Sequence, residues 1–189
     1  MPNPLRTVSG VAAALPTHNL DTDVIMPKRF LRTVDRTGLA AGVLADLRSE
    51  PSYVLNHAPW NTASILVVGD NFGCGSSREH AVWGLHQLGI RAIIGTGFAG
   101  IFADNCRRNA LATITVTPVE RDLLLALAQD AATSYFTVDL VAQKIHAADT
   151  VMVFVLPPAV RDDLLAGRDA IGVTLEHEAA ISAFECRLA

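Results

Sequence analysis

The chain has 189 residues, half of them hydrophobic and 18% charged, with a net charge of −4. This composition excludes a disordered chain, and the length suits one domain over residues 1–189 with a single substantial core. No Lys/Arg-rich block is present, so we expect no nucleic-acid partner. No apolar run approaches the about 18 residues of a membrane span, and no clear signal-peptide pattern opens the chain, so we expect a cytoplasmic protein without a membrane partner.

The secondary-structure pattern is that of an α/β protein. We expect strands and a loop within residues 1–15 and 21–30. Further strands are predicted at 64–69, 91–95 and 112–116, alternating with helices at 77–88, 100–109 and 118–128. Short strands of a more antiparallel kind follow at 135–140, 144–147 and 151–156, and helices at 159–166 and 176–188. Repeated β-α units imply parallel strands, so we predict a mainly parallel sheet with extra β structure at both ends.

Three cysteines, Cys74, Cys106 and Cys186, are widely spaced and form no Cys-x-x-Cys pair. Such a scattered set is not typical of a zinc site, an iron–sulfur cluster or a disulfide framework. We therefore predict reduced thiols and no metal site built from this chain alone. For Cys74, a small side chain that fills a tight turn is favoured over a nucleophile.

Residues 71–80 read Asn-Phe-Gly-Cys-Gly-Ser-Ser-Arg-Glu-His and lie between a predicted buried strand and a predicted helix. A glycine-rich turn that opens a helix directs N–H groups and the positive helix end at an anion. Arg78 adds a guanidinium that can hold a carboxylate by two hydrogen bonds. The alternative is a plain strand-to-helix turn, with Ser76 or Ser77 as N-cap and Ser76 and Glu79 at capping-box spacing.

The sequence favours neither a serine hydrolase nor a nucleotide-binding protein. A lipase-like nucleophile elbow is disfavoured because no glycine follows at the required position, and no base can be named for a serine hydrolase. The run Gly95-Thr-Gly-Phe-Ala-Gly100 matches a dinucleotide-binding fingerprint, with Glu120 twenty residues beyond it. However, this run falls at the second β-α turn, and Glu120 sits where a helix begins. A nucleotide-binding module is therefore the weaker hypothesis.

Three segments resemble the swivelling domain of the aconitase superfamily. Residues 71–81 resemble its signature, residues 19–31 (Asn-Leu-Asp-Thr-Asp-Val-Ile-Met-Pro-Lys-Arg-Phe-Leu) its second marker, and residues 91–94 with 98–105 a third. They occur in family order within about the first two thirds of the chain. The resemblance implies a swivelling β/β/α three-layer domain that forms an independent small subunit.

The same resemblance implies roles for particular residues. The catalytic residues would be Ser76, as the base that removes a proton beside a carboxylate, and Asp23, which orients catalytic groups. The substrate-binding residues would be Ser77, Arg78, Lys28, Arg29 and Arg32. From the residues alone, Asp21 and Asp23 can equally stabilise a loop, and the three cations can form a solvated surface. His80 is expected to pack on the helix and not to take part directly in catalysis.

The implied reaction is a reversible dehydration and rehydration of a hydroxy dicarboxylate, 2-isopropylmalate to 3-isopropylmalate, as in leucine biosynthesis. Homoaconitate, citramalate, dimethylmalate and citrate are alternative substrates. The hydroxide leaving group needs an electrophile that this chain lacks. The resemblance implies that a separate large subunit supplies it with a [4Fe–4S] cluster, so the chain would be active only with that partner.

Overall fold

A computed structural model describes residues 3–31, 37–76 and 78–188 of the chain. Seven strands form one sheet in the order β4-β3-β2-β1-β5-β6-β7. The strands are β1 (Thr7–Leu15), β2 (Ile65–Val68), β3 (Ala92–Gly95), β4 (Ala112–Thr115), β5 (Tyr135–Asp139), β6 (Lys144–Ala147) and β7 (Thr150–Val153). Strand β1 lies in the middle, because Ala12–Leu15 pair with β2 and Thr7–Val11 pair with β5.

The described helices are α1 (Thr22–Ile25), α2 (Ala45–Arg48), α3 (Glu79–Leu88), α4 (Gly100–Arg108), α5 (Pro118–Gln129), α6 (Pro158–Ala166), α7 (Ala170–Leu175) and α8 (Glu178–Leu188). Short 3-10 turns occur at Lys28–Phe30, Leu39–Gly42, Val54–Asn56 and Trp60–Thr62. None of the helices that the structure describes is both long and apolar enough to cross a lipid bilayer.

Strands β1 to β4 form the parallel half of the sheet, and helices cover both of its faces. Ile65 and Val67 of β2 pack into the core on the side of α5 and α6, whereas Leu66 and Val68 pack on the side of α1, α3 and α4. All four residues are fully buried. Burial on both faces explains why this strand reads as an uninterrupted apolar run.

Strands β5 to β7 form the antiparallel half. Buried and solvent-facing residues alternate along them: Ile145 and Ala147 of β6 are buried, while Lys144 and His146 are exposed. On the edge strand, Val153 is 66% exposed. The alternation is typical of a sheet with one face on the core and the other in water.

The α/β class and the order of the central β-α repeats are as predicted from the sequence. Two local predictions differ, and one helix was not predicted. Residues 21–30 form α1 and a 3-10 turn where strands and a loop were expected. The predicted helix at 176–188 is confirmed as α8, and the unpredicted α7 precedes it. Helix α3 begins at Glu79, two residues later than predicted, because Gly75 at φ +87° and Arg78 at φ −114° keep the preceding turn non-helical.

Candidate functional site

Three loops meet at the edge of the sheet where the parallel strands end. The loop after β1 contacts the loop after β2 through two backbone hydrogen bonds: Gly73 N–H donates to the Leu20 carbonyl at 2.8 Å, and Thr22 N–H to the Cys74 carbonyl at 2.9 Å. The loop after β3 joins them, since Ala99 N–H donates to the Phe72 carbonyl at 3.3 Å. The carboxyl edge of parallel strands is the usual ligand site of open α/β sheets.

The glycine-rich turn of residues 73–75 depends on two glycines. Gly73 has φ +77°, and a Cβ there would lie 2.2 Å from Phe102 Cγ. Gly75 has φ +87°, and a Cβ there would lie 3.3 Å from Asp21 Cβ. Positive φ is strained for residues with a side chain, and the Phe102 ring fills the space beside Gly73. Glycine therefore allows the turn to lie against both α4 and the loop after β1.

Asp23 and Arg78, from the two sequence motifs, meet at this site. Arg78 Nε lies 3.2 Å from Asp23 Oδ1, and Lys28 Nζ lies 3.7 Å from Asp23 Oδ2. The Asp23 and Arg78 side chains are 39% and 31% exposed, so the pair faces partly into solvent. Asp23 thus sits between two cations, one from each motif. Asp21 supports this arrangement, because its carboxylate caps α1 by accepting the Val24 N–H at 2.8 Å.

Buried polar atoms without a hydrogen bond are concentrated here. They include Thr22 Oγ1, Asp23 Oδ1 and Arg78 Nε, three of the six such side-chain atoms among the described residues. Asp23 Oδ1 and Arg78 Nε attract each other as an ion pair, but their geometry is not that of a hydrogen bond. Unsatisfied buried groups are costly, so a concentration of them is typical of a site that a ligand completes.

Ser76 is exposed and lies in the turn just before the N-terminus of α3. The alternative reading of Ser76 as a helix cap is wrong, because Arg78 is the N-cap of α3. The capping box with Glu79 is also absent: Glu79 Oε1 accepts a hydrogen bond from Nδ2 of Asn109, the C-cap of α4, at 3.1 Å. Ser77 lies outside the described residues. Ser76 is thus an exposed residue that precedes Arg78 by two positions.

The three cations proposed to contact substrate differ in position. Lys28 faces Asp23 and is 72% exposed. Arg29 is turned to Asp46 of α2, with guanidinium–carboxylate distances of 2.5 and 3.2 Å, and this hydrogen bond lowers the pKa of Asp46 and raises that of Arg29. Arg32 lies outside the described residues. The structure thus brings Lys28 to the site and leaves Arg29 engaged elsewhere, so its substrate role stays a prediction.

His80 packs against Trp83 on α3, with ring centroids 4.7 Å apart. The Trp83 indole donates to Asn109 Oδ1 at 3.1 Å, which ties α3 to α4. These contacts favour a packing role for His80, as predicted.

The turn at Gly95–Gly100 follows β3 and opens α4, as predicted. A Cβ at residue 95 would lie 2.9 Å from Val68 Cγ2, which explains the first glycine by packing. Glu120 accepts hydrogen bonds from the backbone and hydroxyl of Thr117 at 2.8 and 2.7 Å, in a capping box that begins α5. A capping role leaves Glu120 without the free carboxylate that would bind a ribose.

Sequence reasoning missed a second polar group at this edge, formed by His18, Asp70, Thr96 and Arg121. Asp70 accepts a hydrogen bond from the Thr96 hydroxyl and one from Arg121 Nη1 at 2.6 Å. The hydrogen bond from Thr96 is the largest cause that lowers the pKa of Asp70, and Arg121 and His18 lower it further. His18, Asp70 and Thr96 each follow a parallel strand within one to three residues. That placement is the signal that would have found them, since parallel strands end at one edge.

No group of three or more His, Cys, Asp or Glu side chains within the described part of the chain is placed to hold a metal ion. Cys74 is half-buried in the glycine-rich turn, Cys106 is buried in α4 and Cys186 is exposed on α8. Burial raises the pKa of the Cys106 thiol well above its usual range. All three are free thiols.

Comparisons with known proteins agree with this geometry. Residues 2–118 match the Aconitase C-terminal domain family. The chain is 48% identical to 3-isopropylmalate dehydratase small subunit 1 of Mannheimia succiniciproducens, over 94% of this chain and 91% of that protein. It is 46% identical to 3-isopropylmalate dehydratase small subunit 2 of Salmonella typhimurium, over 95% of this chain and 89% of that protein.

A solved structure is also similar. The crystal structure of 3-isopropylmalate dehydratase from Methanocaldococcus jannaschii superposes with a TM-score of 0.72 at 27% identity, over 94% of this chain and 98% of that chain. The chain therefore belongs to the Aconitase C-terminal domain family and, within it, to the small subunits of 3-isopropylmalate dehydratase.

Proposed function

We propose that this chain is the small subunit of a hydro-lyase that converts 2-isopropylmalate to 3-isopropylmalate together with a large subunit. The observation that supports this most is that Asp23 and Lys28 meet Arg78, which follows the exposed Ser76 by two residues. Two cations at the carboxyl edge of the sheet suit a dicarboxylate substrate. The relatives, named as small subunits of this dehydratase, provide the reaction and imply the partner.

In the proposed reaction, Arg78 holds one carboxylate of the substrate with Ser77, and Ser76 removes a proton from the carbon beside a carboxylate. A serine hydroxyl is a weak base, so its alkoxide needs cationic groups and backbone N–H donors close by. Arg78 and the N-terminus of α3 provide positive charge there. Asp23 holds Arg78 in place through their 3.2 Å ion pair.

The proton is returned in the second half of the reaction. Loss of the proton and of hydroxide gives isopropylmaleate, and water then adds with its hydroxyl on the neighbouring carbon. We assign Ser76 the proton transfer in both directions. Lys28 and Arg29 lie on the 3-10 turn at Lys28–Phe30, and Arg32 follows it in the sequence. We propose that these three cations face the variable end of the substrate.

We propose that the large subunit carries a [4Fe–4S] cluster, which when bound supplies the Lewis acid for the leaving hydroxyl. The described residues of this chain offer it no ligand set, so the division of the site between two subunits fits the side chains present here. This arrangement requires the edge at Ser76 to lie at the interface with the large subunit. We place the assembled enzyme in the cytoplasm, as the sequence predicts.

The test is anaerobic reconstitution with an iron–sulfur large subunit from the same source, followed by the absorbance of the unsaturated acid. Turnover of 2-isopropylmalate only when both chains are present would support the proposal. Turnover of citramalate, dimethylmalate, homoaconitate or citrate instead would retain the class and change the substrate. Failure of the two chains to associate would contradict it.

The variant Ser76→Ala tests the base. We expect normal assembly and a loss of turnover of at least about a hundredfold, because proton transfer by a positioned group contributes that much or more. Ser9→Ala is the matched control, since Ser9 is a solvent-facing serine in the part of β1 that pairs with β5. Normal turnover in Ser76→Ala would remove Ser76 from its assigned role.

A further inference from the structure

Asp70 is bonded through every polar group it carries. It follows β2 by two residues and precedes Ser76 by six. Its N–H donates to His18 Nδ1 at 3.0 Å, and its carbonyl accepts the Asn19 N–H at 2.8 Å. Its Oδ1 accepts from Arg121 Nη1 at 2.6 Å and from the Thr96 hydroxyl. Its Oδ2 lies 3.0 Å from His18 Nδ1.

These partners come from three different parts of the chain. His18 lies in the loop after β1, Thr96 in the loop after β3, and Arg121 in the first turns of α5. The Arg121 side chain is only 10% exposed and is also bonded to Asp122 at 2.8 Å. Helix α5 packs against β1 and β2. The Asp70 carboxylate is therefore attached to a fixed body of the fold, although it is itself half-exposed.

The two catalytic segments both start from this point. The segment 70–78 runs from Asp70 to Ser76 and Arg78, and the segment 18–23 runs from His18 to Asp23. At their far ends the segments meet again through the Arg78–Asp23 ion pair at 3.2 Å. The His18–Asp70 contacts close the near end of the same pair of segments.

We propose that Asp70 is a positioning residue, which fixes the segment carrying Ser76 against the segment carrying Asp23. This inference rests on the proposed function. It also gives a role to the Gly95–Gly100 turn, because that turn delivers the Thr96 hydroxyl to Asp70. His18 Nδ1 lies 3.0 Å from both the backbone nitrogen and Oδ2 of Asp70, so two contacts join the segments at this end.

The experiment compares Asp70→Asn with Asp104→Asn in the complex with the large subunit. Asp104 is a matched control: it is a partly exposed carboxylate, its pKa is lowered by hydrogen bonds as that of Asp70 is, and it pairs with Arg107 and Arg108 on α4. We expect kcat to fall about tenfold in Asp70→Asn with a smaller change in KM, because small displacements of reacting groups cost rate. Asp104→Asn should retain kcat.

A second pair of variants tests the hydroxyl that Asp70 accepts. Thr96→Ser keeps the donor and should keep kcat, whereas Thr96→Val keeps the shape and should lose kcat severalfold. Hydrogen exchange in the free full-length chain gives a readout besides activity. The amides of Thr22 and Gly73, which join the two segments, should exchange faster in Asp70→Asn than in Asp104→Asn.

The outcomes separate the two proposals. A wild-type complex that turns over no malate-type acid overturns the proposed function and this inference with it. An active wild type with kcat within twofold in both Asp70→Asn and Thr96→Val overturns the inference alone. An equal loss of kcat in Asp104→Asn also overturns the inference, since a general loss of stability would then explain the effect. If Asp70→Asn does not fold, the Thr96 pair decides.

Discussion

The two halves of the sheet are built from the same kind of short strand but are covered differently. In the parallel half, helices cover both faces and Val67 of β2 is fully buried. In the antiparallel half, one face is open and Val153 of β7 is 66% exposed. The candidate site lies at the edge of the half that is buried on both sides. The loops that must hold charged groups in fixed positions thus extend from the most tightly packed strands.

The difference between the two halves of the sheet predicts where substitutions damage the site. The described site residues Ser76, Arg78 and Asp23 are partly or fully solvent-facing, so their own side chains contribute little to the core. Their positions depend on buried neighbours, such as Phe72, which packs edge-on against Phe102 with ring centroids 5.5 Å apart. Changes beneath the turn should therefore affect stability and turnover together.

The largest effect is expected from Gly73→Ala. The left-handed backbone costs an alanine about 1 to 2 kcal/mol, and overlap with the Phe102 ring adds about 1 to 3 kcal/mol. We expect the free energy of unfolding to fall by about 2 to 5 kcal/mol in denaturant titration, and turnover to be lost. Gly97→Ala is the control, because a Cβ there meets no atom within 4 Å. Equal effects of the two variants would contradict the steric account.

The same substitution in the two halves compares them directly. Val67→Ala removes two buried methyl groups and should cost about 2 to 3 kcal/mol of the free energy of unfolding, including the cavity left behind. Val153→Ala removes the same atoms from a solvent-facing position and should stay within about 0.5 kcal/mol. Denaturant midpoints of the isolated chain measure both. Similar costs would mean that the open face is covered in solution.

The smallest effect concerns pH. Hydrogen bonds lower the pKa of three carboxyl groups. The largest cause is the hydrogen bond from Thr96 for Asp70, from Arg107 for Asp104 and from Thr117 for Glu120. A carboxyl group with a lowered folded-state pKa stabilises the fold above its unfolded value of about 4 and loses that contribution as the pH falls through the folded value. The thermal midpoint should therefore fall between pH 5 and pH 3 (about one unit either side of that value). Glu120→Gln should reduce this fall, and an unchanged dependence would contradict the assignment.

Much of the parallel half could be read from the sequence because its signals are local. The β2 run at residues 65–68 is wholly apolar, and Pro118 with Glu120 marks the start of α5. The start of α3 was misplaced because Ser76 and Glu79 have capping-box spacing, while Glu79 instead bonds to Asn109 thirty residues away. Partners so distant in sequence leave no local pattern.

In the candidate site, too, the features with a local motif were predicted and those that depend on distant residues were missed. The motifs predicted that Asp23 and Arg78 belong to one site, and the structure places them 3.2 Å apart. The group around Asp70 was missed because its four members lie in four separate segments, and no single segment carries a motif. The engagement of Arg29 with Asp46 was equally hidden, since it depends on how α2 folds back onto the 28–30 turn.

The central place of β1 also bears on how the chain folds. Ser9 and Thr137 are bonded across the sheet at 3.0 Å, yet 128 positions separate them in sequence. Contacts between such distant positions slow folding, because a long loop must close before they form. During synthesis, β1 and β2 can pair early, but the other side of β1 has no partner until β5 has emerged. An unpaired strand edge can pair with the wrong strand. The nascent chain is therefore most prone to misfolding after β1 has formed and before β5 has been synthesised.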